Sequence, residues 1–189
     1  PQTPPTLALY QNDGTGKFAD VTGQAGLKLT QYGMGVAIAD YDNDGWQDVF
    51  ISSLGANRLL HNAQGKFVDV TQTAGVAGGE GTWSSGCCWF DYDRDGDLDL
   101  FVANYVEWTR DFDESQSFRL TGIGRAYGPP IYFHGTFPYL YRNEGAGRFT
   151  EVAEQAGLYV RNPATDVPMA KSLGVLPYDL DRDGWTDLV

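Results

Sequence analysis

The sequence predicts an all-β fold assembled from repeated antiparallel units, and three observations carry that expectation. A nine-residue acidic phrase occurs three times: DYDNDGWQD at 40–48, DYDRDGDLD at 91–99 and DLDRDGWTD at 179–187. A second phrase alternates with it: LYQNDGTGKFADVTGQAGL at 9–27, LLHNAQGKFVDVTQTAGV at 59–76 and LYRNEGAGRFTEVAEQAGL at 140–158. The runs beside the acidic phrases, such as VAIA and DVFIS or CCWF and LDLFVA, are short, apolar and rich in β-branched and aromatic residues, as strands are. Asn12 and Asn62 are 50 residues apart and Asp40 and Asp91 are 51 apart. Self-similarity at that period, built of short strands and Gly-rich turns, marks a β-propeller with one four-stranded antiparallel blade per repeat.

Each blade is written out in order. Strand one is VAIA, CCWF or VLPY, and the acidic loop follows it. Strand two is DVFIS or DLDLFVANY, or DLV at 187–189. Strand three, NRLLHN or PYLYRN, closes through an N-x-x-G or N-x-G turn onto strand four, KFVDV or RFTEV, and a T-x-x-A-G segment leads onward. Residues 1–189 then form one propeller segment. Within it 7–27 is a half blade, 32–76 a blade, 83–158 a blade with an insertion at 105–137, and 171–189 the start of the next. That is about three blade equivalents, a partial propeller, whereas closed propellers have roughly four to eight blades. The expected partners are therefore the remainder of a longer propeller chain or the half-blades of neighbouring copies. Gly35, Gly86 and Gly174 each stand five residues before a loop's first aspartate, where a missing side chain lets backbones approach closely. Pro177 within a first strand requires that strand to be an edge.

The acidic phrases need an explanation, because each like charge raises the cost of ionising its neighbours. A cation resolves the repulsion. Calcium takes six to eight oxygens, and carboxylates at places 1, 3, 5 and 9, with the place-7 carbonyl, present them around a tight turn at the place-6 glycine. The ligands are Asp40, Asp42, Asp44, Asp48 and the Trp46 carbonyl in the first loop. They are Asp91, Asp93, Asp95, Asp99 and the Asp97 carbonyl in the second, and Asp179, Asp181, Asp183, Asp187 and the Trp185 carbonyl in the third. Up to three Ca2+ ions are expected. The EF-hand is excluded: it requires Glu at place 12 and flanking helices, whereas place 12 is Ile51 or Val102 in a strand-like run.

Composition agrees. The three windows hold 13 of 25 acidic residues and 2 of 13 basic ones, so they carry −11 of the net −12. The acidity is local, and no basic patch marks nucleic acid or an anionic membrane as a partner. No apolar run reaches the ~18 residues of a membrane span. GTGK at 14–17 lacks the spacing of a phosphate loop and recurs as GKF and GRF, so it is a hairpin turn. Cys87 and Cys88 read as small core residues in a first strand, with a strained vicinal disulfide as the alternative. His61 stands in the column of Gln11 and Arg142 and reads as a surface strand residue. No nucleophile elbow, HExxH or Cys/His pairing is present.

The acidic loops and the phrase L-Y-x-N-x-G-x-G-x-F-x-D-V-T-x-x-A-G-L together resemble the FG-GAP or VCBS repeats of integrin-alpha-like propellers. The resemblance is nearest to the cartilage-acidic-protein-like branch, which is often coupled to an ASPIC/UnbV domain. YGMG, WSSG and KSLG stand where the FG word would be. The resemblance implies an extracellular or periplasmic, calcium-binding module that binds or adheres rather than catalyses. A calcium-dependent polysaccharide-active enzyme or a lectin on the same scaffold is the alternative. The insertion joins strands two and three, on the face opposite the acidic loops. Its aromatics, among them Trp108, Tyr127, Tyr132 and Phe133, either pack as a lid or meet a protein or carbohydrate ligand.

Overall fold

A computed structural model describes residues 5–189. Strands β1 (Tyr10–Asn12) and β2 (Phe18–Asp20) form a hairpin, followed by the one-turn helix α1 (Thr22–Ala25). A four-stranded antiparallel sheet follows, of β3 (Gly33–Ala39), β4 (Asp48–Ser53), β5 (Arg58–Ala63) and β6 (Lys66–Asp69) in that order. After the one-turn helix α2 (Thr71–Ala74) come β7 (Thr82–Phe90) and β8 (Asp99–Glu107). The chain then forms α3 (Arg110–Ser115), a small hairpin of β9 (Arg119–Leu120) and β10 (Gly124–Arg125), and a 3-10 turn at Pro130–Tyr132. Strands β11 (Tyr139–Asn143) and β12 (Phe149–Glu151) complete a second four-stranded sheet, ordered β7-β8-β11-β12. The last pair is β13 (Pro177–Tyr178) and β14 (Asp187–Leu188). The architecture is all-β, with two full four-stranded blades between two partial ones, as a partial propeller requires.

Period-two alternation puts both faces of the full blades to use. Phe50 and Leu59 of the first blade meet Leu100, Val102, Tyr141 and Phe149 of the second in one core. Their neighbours Ile51 and Leu60 face the other way, onto Ala25, Leu27, Leu7 and Leu9. On the far side of the second blade, Phe101, Ala103 and Leu140 pack toward Val175 and Leu188. A strand buried on both faces reads as a continuous apolar run, which is why DVFIS and LFVA lack polar alternation. Each T-x-x-A-G segment folds as a single helical turn ended by a left-handed glycine, Gly26 at φ +82° and Gly75 at φ +80°.

The inner strands approach closely where the sequence places glycine. A Cβ on Gly35 would lie 2.5 Å from the Ser85 carbonyl oxygen, and one on Gly86 would lie 3.0 Å from the Gly174 Cα. Ser52 Oγ donates across this seam to the Ser85 carbonyl at 2.9 Å. Cys87 and Cys88 are free thiols; alternation turns Cys87 toward the core between the full blades and Cys88 toward the outer one. Burial pushes the Cys88 thiol up to about 12, with the Cys87 thiol adding to it. Pro177 lies in a two-stranded pair, opposite Leu188. Strand β8 runs on to Glu107, two residues beyond Tyr105, because Thr82 of the long β7 remains opposite Glu107.

Candidate metal centres

All three acidic phrases fold as the loop between a blade's first and second strand, and they share one backbone design. The place-4 residues Asn43, Arg94 and Arg182 take left-handed φ values of +58°, +63° and +63°. The place-6 glycines Gly45, Gly96 and Gly184 follow at +90°, +94° and +89°, where a Cβ is strongly disfavoured. These two reversals turn the side chains at places 1, 3 and 5 inward.

Main-chain N–H groups then fix the carboxylates. The place-6 N–H donates to the place-1 carboxylate, Gly45 to Asp40 Oδ2 at 2.9 Å, Gly96 to Asp91 Oδ2 at 3.1 Å and Gly184 to Asp179 Oδ2 at 3.0 Å. The place-7 N–H of Trp46, Asp97 and Trp185 donates to the place-5 carboxylates of Asp44, Asp95 and Asp183 at 2.8, 2.9 and 2.8 Å.

The place-9 aspartates have a second task. Asp48 and Asp99 are wholly buried. Asp48 Oδ1 accepts from the Asn62 N–H at 2.7 Å, and Asp99 Oδ1 from the Asn143 N–H at 2.8 Å. Their other oxygens accept from the place-2 N–H groups of Tyr41 and Tyr92, and Asp187 likewise accepts from Leu180. Asn62 and Asn143 return the contact: each donates its amide to the place-8 carbonyl, of Gln47 or Leu98, and accepts from the turn glycine Gly65 or Gly145. The N-x-x-G and N-x-G turns are therefore locked to the acidic loop by one aspartate and one asparagine. Burial pushes the Asp99 carboxyl up to about 6 against two stabilising N–H bonds, and pushes Asp48 up in the same way.

The structure gathers Asp40, Asp42 and Asp44 in the first loop, Asp91, Asp93 and Asp99 in the second, and Asp179, Asp181 and Asp187 in the third. Within each trio the carboxylate oxygens lie no more than 4.8 Å from one another. Asp95, Asp97 and Asp183 stand outside these trios, and so does Asp48, which groups instead with Asp42 and His61. The residues fit a cation on a further observation: Asp91 Oδ1, Asp93 Oδ1 and Asp179 Oδ1 are buried and have no hydrogen-bond partner. A buried, unpaired carboxylate oxygen carries a large desolvation penalty that a bound cation removes. The loops also touch each other in sequence. Asn43 Nδ2 donates to Asp97 Oδ1 at 3.4 Å, and the Arg94 guanidinium lies 4.3 Å from the centre of the Trp185 ring.

His61 is not a plain surface residue, contrary to its column in the repeat. It packs against the first loop with its side chain 25% exposed, Nδ1 3.3 Å from Asp42 Oδ2 and 3.2 Å from Asp48 Oδ1. The fold brings it there because Asn62, its neighbour, is bound to Asp48. The repeat column hid this, because the contact depends on where strand β5 meets the loop.

The insertion stands at the opposite end of β8 from Asp99. Trp108 sits edge-on to Trp83 at 6.4 Å, Phe133 against Phe112 at 5.4 Å and Tyr132 against Phe118 at 5.0 Å. Trp108, Tyr127 and Phe133, with Trp83 and Tyr105, line a cleft of about 390 Å³, while Tyr132 lies outside it. Tyr127 is 91% exposed.

The profile of the FG-GAP-like repeat matches residues 3–51 and 40–102, more than half of the chain. The chain belongs to the FG-GAP-like repeat family. It is 34% identical over 103 residues to Cartilage acidic protein 1 of Xenopus tropicalis, a match covering 51% of this chain and 15% of that relative. The chain thus spans only a small part of the relative's length. The two profile matches of this FG-GAP-like chain contain the first two acidic loops, and each begins or ends close to one of them. No helix among the described residues is long and apolar enough to cross a membrane.

Proposed function

We propose that this FG-GAP-like chain is a calcium-stabilised propeller segment that acts as an extracellular or periplasmic binding module. The observation that carries it is the set of buried carboxylate oxygens without partners in the acidic loops, on Asp91, Asp93 and Asp179. Calcium would be held by Asp40, Asp42, Asp44 and Asp48, by Asp91, Asp93, Asp95 and Asp99, and by Asp179, Asp181, Asp183 and Asp187. The carbonyls of Trp46, Asp97 and Trp185 complete the sets. When bound, the ion neutralises the clustered charge and fixes strand one to strand two; the chain's own part is the cradle of N–H groups that orients the carboxylates.

Two surfaces support a role in binding. The cleft at Trp108, Tyr127 and Phe133 offers aromatic faces to a protein or carbohydrate ligand. Met34, Val36 and Ile38 on β3, with Tyr10 and Phe18 on the first hairpin, leave apolar side chains exposed. These suit the rest of a propeller chain or a neighbouring copy.

Calcium removal tests the central claim. An ion at 100 times its Kd stabilises the folded state by about 2.7 kcal/mol per site, so EDTA should lower the melting temperature by roughly 5–10 °C for each saturated site. Unchanged melting and protease resistance in EDTA would overturn the three-site reading.

A further inference from the structure

The imidazole of His61 distinguishes the first acidic loop from the others. Its Nδ1 is buried and makes no hydrogen bond, although Asp48 Oδ1 and Asp42 Oδ2 lie only 3.2 and 3.3 Å away. Neither carboxylate stands where the ring nitrogen can address it. The ring is held edge-on to Tyr41, 6.5 Å between centroids, and Asp44 Oδ2 lies 3.9 Å from the far nitrogen Nε2. One nitrogen and two carboxylate oxygens thus surround one small space, all within 4.8 Å of one another.

Those separations are what a small ion would impose. Ligands about 2.0–2.2 Å from a tetrahedral zinc ion lie roughly 3.3–3.6 Å from each other. Nitrogen also discriminates: calcium is a hard ion that takes oxygen, whereas imidazole with carboxylate suits zinc and its borderline neighbours. The second loop offers no such donor. Its equivalent of His61 is Arg142, whose guanidinium is engaged by Glu144 at 2.6 and 2.9 Å.

We propose that the first acidic loop is a mixed imidazole–carboxylate centre, in which His61 Nδ1, Asp42 and Asp48 bind a divalent ion of the zinc class that displaces the calcium assigned to this loop above. The second loop, with Arg142 in that column, is an oxygen-only site. This rests on the acidic loops being cation sites, and its test separates the two claims.

The test is a titration of the metal-free, nitrogen-15-labelled chain with zinc chloride and separately with calcium chloride, followed through the histidine ring nitrogens. The chain has two histidines, and His134 in the insertion serves as the internal control. Zinc should shift the His61 ring nitrogens by one equivalent while those of His134 stay in place, and calcium should move neither ring. His61→Gln should weaken zinc binding at least about tenfold by calorimetry and leave calcium binding at the other two loops unchanged. The ring-nitrogen measurement needs no variant, so a folding defect in His61→Gln leaves it intact. Zinc binding that is indifferent to His61→Gln, or that shifts only His134, overturns the proposal. Calcium displacing zinc from the first loop at equal concentration does so too. If zinc binds through His61 but the other loops take no calcium, the calcium reading fails and this one stands.

Discussion

The first and second acidic loops share a backbone and differ in what surrounds it. In both, the place-9 aspartate is buried and grips the N–H of place 2 and of the strand-three asparagine. In the first loop place 2 is Tyr41, stacked on Trp89 of the next blade at 5.8 Å, with His61 reaching in from β5. In the second, place 2 is Tyr92 and the strand-three neighbour is Arg142, paired to Glu144. The spacing D-x-D-x-D-G-x-x-D therefore defines the cradle, and a residue outside the phrase, His61 in one blade and Arg142 in the other, changes the side chains beside it. A repeat can keep its fold constant while changing its chemistry one column away.

The strongest way to break this comparison is to remove the shared brace. Asp48→Ala and Asp99→Ala should each cost about 3 kcal/mol or more even in EDTA, because two buried N–H groups lose their acceptor. Urea denaturation with and without calcium reads this directly. Asp99→Asn keeps an acceptor for only one of the two N–H groups, of Tyr92 and Asn143, and turns an NH2 donor toward the other. It should cost less than Asp99→Ala in EDTA and lose most of the stabilisation from calcium. A loss for Asp99→Asn in EDTA as large as that for Asp99→Ala would show that one acceptor alone does not hold the blade.

Much of this was legible in the sequence. The period near fifty, the strand-like runs and the repeated turns carry the blades, because each blade's order is local and recurs. The acidic loops between strands one and two were legible for the same reason. The brace was not, since Asp48 and Asp99 look like two more ligands until the N–H groups of Asn62 and Asn143 are seen upon them. His61 was misjudged because a repeat column reports average exposure, whereas its contact arises from one tertiary meeting of β5 with the loop. Its place beside Asn62 was the one available signal. The insertion was opaque: α3 and the β9–β10 hairpin span few residues and bury little, so no apolar period announces them.

A smaller effect sharpens the comparison at the inner strands. Gly35→Ala drives a Cβ to 2.5 Å from the Ser85 carbonyl and 2.8 Å from Ser52 Oγ, so the seam between the full blades must open. A loss of about 1–3 kcal/mol is expected. Gly86→Ala meets the Gly174 Cα at 3.0 Å and should cost less. Equal losses would mean that both seams yield alike.

The buried place-9 carboxyl of Asp99 also makes stability depend on pH. Burial raises Asp99 to about 6 in the calcium-free chain, above the ordinary value of 3.8. The folded state then holds that proton more tightly than the unfolded one, so the associated stability is fully present below 3.8 and lost as pH rises through 6. Calcium-free protein should therefore gain stability on going from pH 7 to pH 5, and Asp99→Asn should flatten that gain. Calcium affinity should fall over the same window, because the ion must displace the proton. A calcium-free stability independent of pH between 5 and 7 would contradict the burial of Asp99 as an ionisable group.

The smallest effect concerns the contacts between successive loops. Arg94 lies over Trp185 at 4.3 Å while its own backbone holds φ +63°. Arg94→Ala loses the cation–π contact, about 0.5–1 kcal/mol at an exposed site, and keeps the unfavourable left-handed backbone. Arg94→Gly loses the same contact but relieves about 1 kcal/mol of left-handed strain, so its net change should be close to zero. At Asn43, whose side chain only touches Asp97 at 3.4 Å, substitution by Gly should likewise be close to neutral. Thermal melts of the three variants in EDTA order them with Arg94→Ala lowest. If Arg94→Gly melts as low as Arg94→Ala, the guanidinium over Trp185 matters more than the backbone turn, and the loops are coupled through that contact.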